Sequence, residues 1–271
     1  MQNFQNKVAV VTGGASGIGW ALARQCGQEG MKVVLADIEA APLEKAAAML
    51  NADDVEVLPV QTDVSNAQAV AELAQKTLDR FGAVHLLFNN AGVGAGGKIW
   101  ETTLHDWEWT LNVNLWGVIH GIRTFTPIML QQGDECHIVN TASIAGLITG
   151  PGLGAYKVTK HAVVALSETL YYELKEQEAK IKVSVLCPEF VNTRIWESER
   201  NRPKDLRNPR RSLTDQEKSD LEELRSVVSN GIPAEEVAQH VFDAIRSEKL
   251  HILTHPHTKE WVQKRMEKIL A

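Results

Sequence analysis

Short β-branched apolar runs alternate along this chain with longer segments of helical pattern. The run 8–12, VAVVT, has the look of a strand buried on both faces. A helix is expected over about 17–30. Further strands are predicted at 33–36, 57–61, 86–89, 137–141, 182–186 and 251–254. Helices fall between them at 40–51 and from 66 to about 81, where Gly82 stops the turn. A long helical segment spans about 103–131. Another carries Tyr156 and continues to about 178, and the last two cover 233–247 and 258–270. Residues 94–97 read as a flexible loop. Asn112 and Asn114 fall inside the long helix, where Asn is not a favoured choice, so an internal hydrogen bond or simple exposure is expected there. The segment 162–166 is apolar on more than one face. One face covers the sheet and the rest suggests a subunit contact.

Strand and helix in alternation predict an α/β fold: a doubly wound parallel sheet of about seven strands, a Rossmann fold, in a single domain. Ligand then belongs at the carboxyl ends of the strands, and the chemistry-bearing residues follow strands at that edge. The first strand runs into Thr12-Gly13-Gly14-Ala15-Ser16-Gly17-Ile18-Gly19. Gly13 permits a tight turn, Gly17 lets the backbone approach a pyrophosphate, and Gly19 lets the helix pack close to the sheet. The helix start supplies N–H donors and a positive dipole end, with Ser16 and Ile18 in the same loop. The spacing is G-x3-G-x-G, not the common G-x-G-x-x-G.

Asp37 ends the second strand, where a carboxylate accepts from both hydroxyls of an adenosine ribose and repels a 2′-phosphate. Ser16 is not basic and the first cation after Asp37 is Lys45, so NAD is expected over NADP. Asp63, followed by Val64, is placed to reach an adenine amino group or to cap the helix beginning near 66. Asn89 and Asn90 need partners at the end of a buried strand. One can tie strands together while Ala91-Gly92 leaves room for a cofactor.

Ser143, Tyr156 and Lys160 are candidates for proton transfer. Tyr156 and Lys160 are spaced i, i+4, on one helix face. A phenol with a reference pKa of ~10 is a poor base near neutrality, and a nearby ammonium favours its phenolate. A lowering of ~2–3 units asks for roughly 3–4 kcal/mol. A Ser hydroxyl from a strand end then holds the substrate oxygen. The plain alternative is a solvated Tyr–Lys pair.

Bulk composition narrows the classes. The 271 residues are 44% hydrophobic and 23% charged, enough for one large domain. A net charge of −6 argues against a general nucleic-acid binder. Cys26, Cys136 and Cys187 are scattered, which argues against a disulfide framework or zinc site, and Cys187 reads as a small packed hydrophobe. There is no secretory pattern at the N-terminus and no apolar run near the ~20 residues of a membrane span, so a soluble, cytoplasmic protein is expected. Residues 194–230 form a polar insertion. Arg202, Arg207, Arg210 and Arg211 are balanced by acidic residues, since 197–225 holds eight of each sign, so a solvated lid is expected. His251, His255 and His257 straddle Pro256 without an acidic neighbour before Glu260, and no metal site is expected.

Over about 7–193 these motifs resemble the short-chain dehydrogenase/reductase family. TGGASGIG is similar to its cofactor loop, NNAG at 89–92 to its fourth-strand motif, and Asn114 in N-L-x-G to its catalytic Asn. Ser143, Tyr156 and Lys160 have its spacing. The resemblance implies that Tyr156 is the general acid/base and that Lys160 lowers its pKa and binds the nicotinamide ribose. It implies that Ser143 orients the substrate oxygen and that Asn114 holds a relay water. Pro188, Val191 and Thr193 resemble the nicotinamide contacts, but Glu189 stands where the family usually has Gly. The lid implied by the family closes over substrate, with Leu153, Phe190 and Trp196 as candidate apolar walls. Lid and tail look similar to bacterial members that oxidise bulky hydrophobic or aryl secondary alcohols. The resulting expectation is an NAD-dependent dehydrogenase or ketone reductase acting on a small-molecule alcohol or ketone, as a homodimer or homotetramer. The competing expectation is a non-catalytic NAD-binding scaffold or sensor.

Overall fold

A computed structural model of the chain describes residues 1–94, 96–209 and 214–271. Residue 95 of the expected 94–97 loop, and Arg210 and Arg211 of the expected lid, lie outside the described residues. Seven strands form one sheet: β1 (Val8–Thr12), β2 (Lys32–Asp37), β3 (Val57–Gln61), β4 (Leu86–Asn89), β5 (Cys136–Thr141), β6 (Ile181–Cys187) and β7 (His251–Leu253). Their spatial order is β3-β2-β1-β4-β5-β6-β7, and every pairing is parallel. The order reverses between β1 and β4, which opens a crevice above their carboxyl ends.

Helices α1 (Gly17–Gln28), α2 (Ala40–Ala52) and α8 (Ala234–Arg246) cover one face, burying Leu22, Leu43, Leu50, Val237 and Phe242. Helices α3 (Ala67–Phe81), α5 (Gly117–Gln132) and α6 (Gly154–Glu176) cover the other with Leu73, Phe125, Met129, Leu170 and Leu174. Each such side chain contributes about 1.5–3 kcal/mol on burial. Strands β1, β4 and β5 are buried at every position, which explains the mainly apolar runs of β1 and β4. No helix among the described residues is long and apolar enough to cross a membrane.

Three expectations need correction. Asp63 does not cap α3. Asn66 does, accepting from the N–H groups of Gln68 and Ala69, while Asp63 accepts from the Ser65 N–H and hydroxyl. The long helix is interrupted: α4 (Leu104–Leu111), opened by a Thr103–Asp106 capping box, leads into a π-helical turn at Asn112–Trp116 and then α5. The wider turn carries Asn114 at a position that is completely buried. Finally, the segment 194–230, expected as a lid, is not simply a solvated polar loop. It contains short 3₁₀ turns at Ile195–Asn201 and Lys204–Leu206, then α7 (Asp215–Ser229). Arg202 is only 4% exposed, ion-paired to Asp106 at 2.7 Å and to Glu199 at 2.9 Å, with its guanidinium over the Trp109 ring. A paired, stacked guanidinium tolerates burial that an isolated charge does not.

Candidate active site

The carboxyl ends of β1, β2, β4, β5 and β6 border one cleft of about 420 Å³. Its cofactor side is built first by the turn after β1. Gly13 and Gly17 both take left-handed backbone angles, φ 64° and 54°. A Cβ on Gly13 would lie 2.9 Å from Ala91 Cα, so a side chain there would push β1 and β4 loops apart. Ser16 and Ile18 line the cleft; Gly19 does not, because its Cα faces Gly13 O and holds α1 close to the sheet. The first turn of α1 contains no acidic residue, and Ser16 makes no side-chain cap. Its amide donors and positive dipole end are therefore left for an anion.

Asp37, 8% exposed, accepts from the Ala15 N–H and the Glu39 N–H, both at 3.0 Å. Burial pushes its carboxyl above the usual value, and those amides oppose the shift. The sequence places no cation nearby, but the fold brings one. Arg200, from the lid, reaches Glu39 with Nη2–Oε2 at 3.0 Å and Nε–Oε2 at 3.1 Å, and Asn201 joins it. Burial acts to raise Glu39, but Arg200 and Asn201 outweigh it and hold the carboxyl below its usual value. Asp63 and Val64 line the same end of the cleft.

Asn89, the last residue of β4, and Asn90 after it use their amide nitrogens to tie strands together, while Asn89 Oδ1 has no partner among the described residues. Asn89 Nδ2 donates to Asn140 Oδ1 on β5 at 2.9 Å. Asn90 Nδ2 donates to Thr12 O at 3.1 Å, and Thr12 Oγ1 accepts from the Asn90 and Ala91 N–H groups. These bonds fix the backbone of Asn90-Ala91-Gly92 against the cleft. The glycine cradle, the open helix start and the Asp37 carboxylate fit a nicotinamide dinucleotide.

Tyr156 and Lys160 lie one turn apart on α6, facing Ser143 at the end of β5. Lys160 is 3% exposed; its Nζ donates to Thr141 O at 2.8 Å and stands 5.4 Å from the Tyr156 ring centroid. Ser143 donates to Pro188 O at 3.3 Å and accepts from the Ala145 N–H at 3.1 Å. The expected dominance of Lys160 over Tyr156 is not what the structure gives. Burial is the leading influence and raises the Tyr156 phenol, opposed by a hydrogen bond with Ser143. Burial also brings the Lys160 ammonium down to about 8. Both shifts have one cause: each charged form is expensive in a dry site.

Asn114 lies behind the cleft rather than on its wall. Its Oδ1 accepts from the Val93 N–H at 2.8 Å and its Nδ2 donates to Val93 O at 2.9 Å. A Cβ built on Gly92 would stand 3.4 Å from Asn114 Oδ1 and 3.7 Å from Lys160 Nζ, so both groups adjoin the same loop.

Leu153, Phe190 and Trp196 line the cleft, as do Pro188, Val191 and Thr193, the last of these beside Gly17. Leu153 holds a left-handed φ of 55° immediately before α6. Sequence reasoning missed Trp109, Ile148, Leu224, Val228 and Trp261, which complete the wall. The i, i+4 spacing of Leu224 and Val228 was a usable signal for α7; nothing local marked Trp261 of α9 (Thr258–Leu270). Glu189 lines the cleft, and its Oε2 is hydrogen-bonded to His257 Nε2 at 2.7 Å. The three tail histidines turn to separate partners: His251 to Glu168, His255 to Thr254 and His257 to Glu189.

Residues 7–204 match the family model for short chain dehydrogenase. The chain belongs to the short-chain dehydrogenase/reductase family. It is 34% identical over 273 residues to the CLA biosynthesis dehydrogenase/reductase of Lactiplantibacillus plantarum, covering 100% of this chain and 96% of that protein. It is also 34% identical over 271 residues to the C alpha-dehydrogenase of a Sphingobium strain, covering 100% of this chain and 87% of the relative. A short-chain dehydrogenase/reductase from Burkholderia phymatum, solved in complex with NAD, superposes with a TM-score of 0.96 at 47% identity, over 99% of this chain and 96% of that one. As a short-chain dehydrogenase/reductase the protein is an oxidoreductase that uses a nicotinamide cofactor.

Proposed function

We propose that this short-chain dehydrogenase/reductase is an NAD-dependent dehydrogenase of secondary alcohols, or in reverse a ketone reductase, acting on a bulky hydrophobic or aryl substrate. The observation that carries the reading is that Ser143, Tyr156 and Lys160 share one cleft with an apolar, Trp-rich wall. In this reading Gly13, Ser16, Gly17 and Ile18 hold the pyrophosphate and Asp37 the adenosine ribose. Asp63 and Val64 meet the adenine, and Asn90, Ala91, Gly92, Tyr156 and Lys160 adjoin the nicotinamide ribose. Pro188, Val191 and Thr193 hold the carboxamide. The bound nicotinamide supplies the hydride exchange.

The chain's own residues supply position and proton transfer. Tyr156 takes the hydroxyl proton in oxidation and returns it in reduction. Ser143 donates to the substrate oxygen in place of Pro188 O. The Lys160 ammonium, anchored on Thr141 O, favours the phenolate once the site is filled. Asn114 steadies the loop that separates it from Lys160. Leu153, Phe190 and Trp196 exclude water. NAD is favoured over NADP because Asp37 repels a 2′-phosphate and Arg200 is already engaged by Glu39; the NAD bound in the Burkholderia relative supports the choice. A cytoplasmic dimer or tetramer is the proposed setting, since α6 leaves Val158 and Tyr172 exposed.

Tyr156→Phe tests the mechanism. It is expected to lower kcat by about 10²–10⁴-fold while NADH binding stays within about twofold. Wild-type turnover by this variant rules the mechanism out. Parallel titrations with NADH and NADPH test the cofactor, and tighter NADPH binding overturns the Asp37 argument.

A further inference from the structure

The loop after β6 joins the catalytic serine to the C-terminal helix. Pro188 O accepts from both the Ser143 hydroxyl and the Ile144 N–H, at 3.3 and 2.8 Å. The next residue, Glu189, lies on the wall of the same cleft with its side chain only 13% exposed. Its Oε2 is bonded to His257 Nε2, and the His257 ring packs edge-on to Trp261 with centroids 5.0 Å apart. Trp261 is also a wall of the cleft. On the far side, Arg265 donates to Leu147 O at 2.7 Å, so α9 is fastened to the loops after both β5 and β6.

Glu189 places a carboxylate on the same wall as Leu153, Phe190, Trp196 and Trp261. The contact with His257 uses one carboxylate oxygen and leaves the other for a second donor. Among the described residues, only Oε2 has one. Oε1 has none and is accessible, so it is open to a donor brought by a ligand in the cleft that Glu189 lines.

We infer that Glu189 determines substrate specificity: it accepts a hydrogen bond from a hydroxyl or ammonium group on the substrate, away from the carbinol that reacts. His257 holds the carboxylate in place, and Trp261 packs on the body that joins the two polar ends. The substrate class is thus an aryl or bulky alicyclic secondary alcohol bearing a second, donor substituent. This inference rests on the proposed alcohol dehydrogenase reading and narrows it.

The test compares matched 1-phenylethanols: para-hydroxy against para-methyl, and para-aminomethyl against para-ethyl. Each pair has nearly equal size, so the ratio of kcat/KM within a pair reports the donor. The wild type is expected to favour the donor member of at least one pair, and Glu189→Gln to reduce that ratio by about tenfold or more, as for a hydrogen bond to a charged group. A purely structural Glu189 lowers both members together and leaves the ratio alone, which overturns the inference. Arg265→Met loosens the other fastening of α9 and is expected to keep the wild-type ratio. A shift equal to that of Glu189→Gln would assign the preference to helix placement and also overturn it. If the wild type turns over neither pair, the same ratios are read from dissociation constants, by tryptophan emission in the presence of NAD⁺. A Glu189-dependent donor preference there upholds the inference while the proposed reaction fails; no binding, or no preference, rejects it.

Discussion

Replacing Asn114 with Ala tests how the π-helical turn serves the cofactor loop. The Asn114 side chain pairs both backbone groups of Val93, N–H at 2.8 Å and C=O at 2.9 Å. Asn114 is completely buried and Val93 is 6% exposed, so neither group has ready access to water once the amide is gone. An orphaned buried donor or acceptor costs about 1–3 kcal/mol, and two give about 2–6 kcal/mol. Ala returns roughly 0.5 kcal/mol through its better helix propensity. The net loss of about 1.5–5.5 kcal/mol is a large share of a typical stability of about 5–15 kcal/mol. Urea unfolding followed by tryptophan emission measures it. NADH titration supplies the second readout, because Val93 continues the Asn90–Gly92 segment that lines the cleft. Binding should weaken along with stability. Asn114→Asp keeps an acceptor for the Val93 N–H but sets a carboxylate against Val93 O, and should do no better than Ala. If Asn114→Ala unfolds within about 0.5 kcal/mol of wild type and binds NADH equally well, the tether argument is refuted.

Two further outcomes follow from the electrostatics. Lys160 has a folded pKa of about 8 against an ordinary 10.5. Between those values the unfolded chain holds a proton that the native state has lost, so this group's contribution to stability rises with pH by roughly 3 kcal/mol across that window. Urea melts of wild type and Lys160→Met at pH 7.5 and 10 should therefore show the wild type gaining on the variant; a difference that does not change with pH contradicts the burial argument. Glu39→Gln releases the Arg200 guanidinium into the cleft that Asp37 also lines, and NADPH should bind about three- to tenfold tighter, equivalent to about 0.7–1.4 kcal/mol. Adding Arg200→Met should cancel that gain, and an unchanged NADPH titration removes the pair from cofactor choice.

The alternation of strands and helices, the glycine turn after β1, Asp37 and the Tyr156–Lys160 spacing were all legible in the chain. Each depends on neighbours a few residues away: apolar periodicity, a left-handed glycine, one turn of helix. The same local logic led to errors at the lid. Residues 197–225 balance their charges and read as solvated, yet Arg202 is buried because Asp106, Glu199 and Trp109 converge on it. Asn114 looked like a helix-interior oddity until the π-helical turn set it against Val93. The Arg200–Glu39 pair joins residues 161 apart in sequence, and Glu189 meets His257, which packs on Trp261, only because β7 places the tail beside β6. The sequence by itself determined the fold class and the edge of the sheet where chemistry gathers, since short-range hydrogen bonding and hydrophobic patterning specify those. The tertiary structure alone decided which charges are neutralised, which polar groups are dry and what closes the substrate wall. Burial and ion pairing depend on distances across the fold that no local pattern contains.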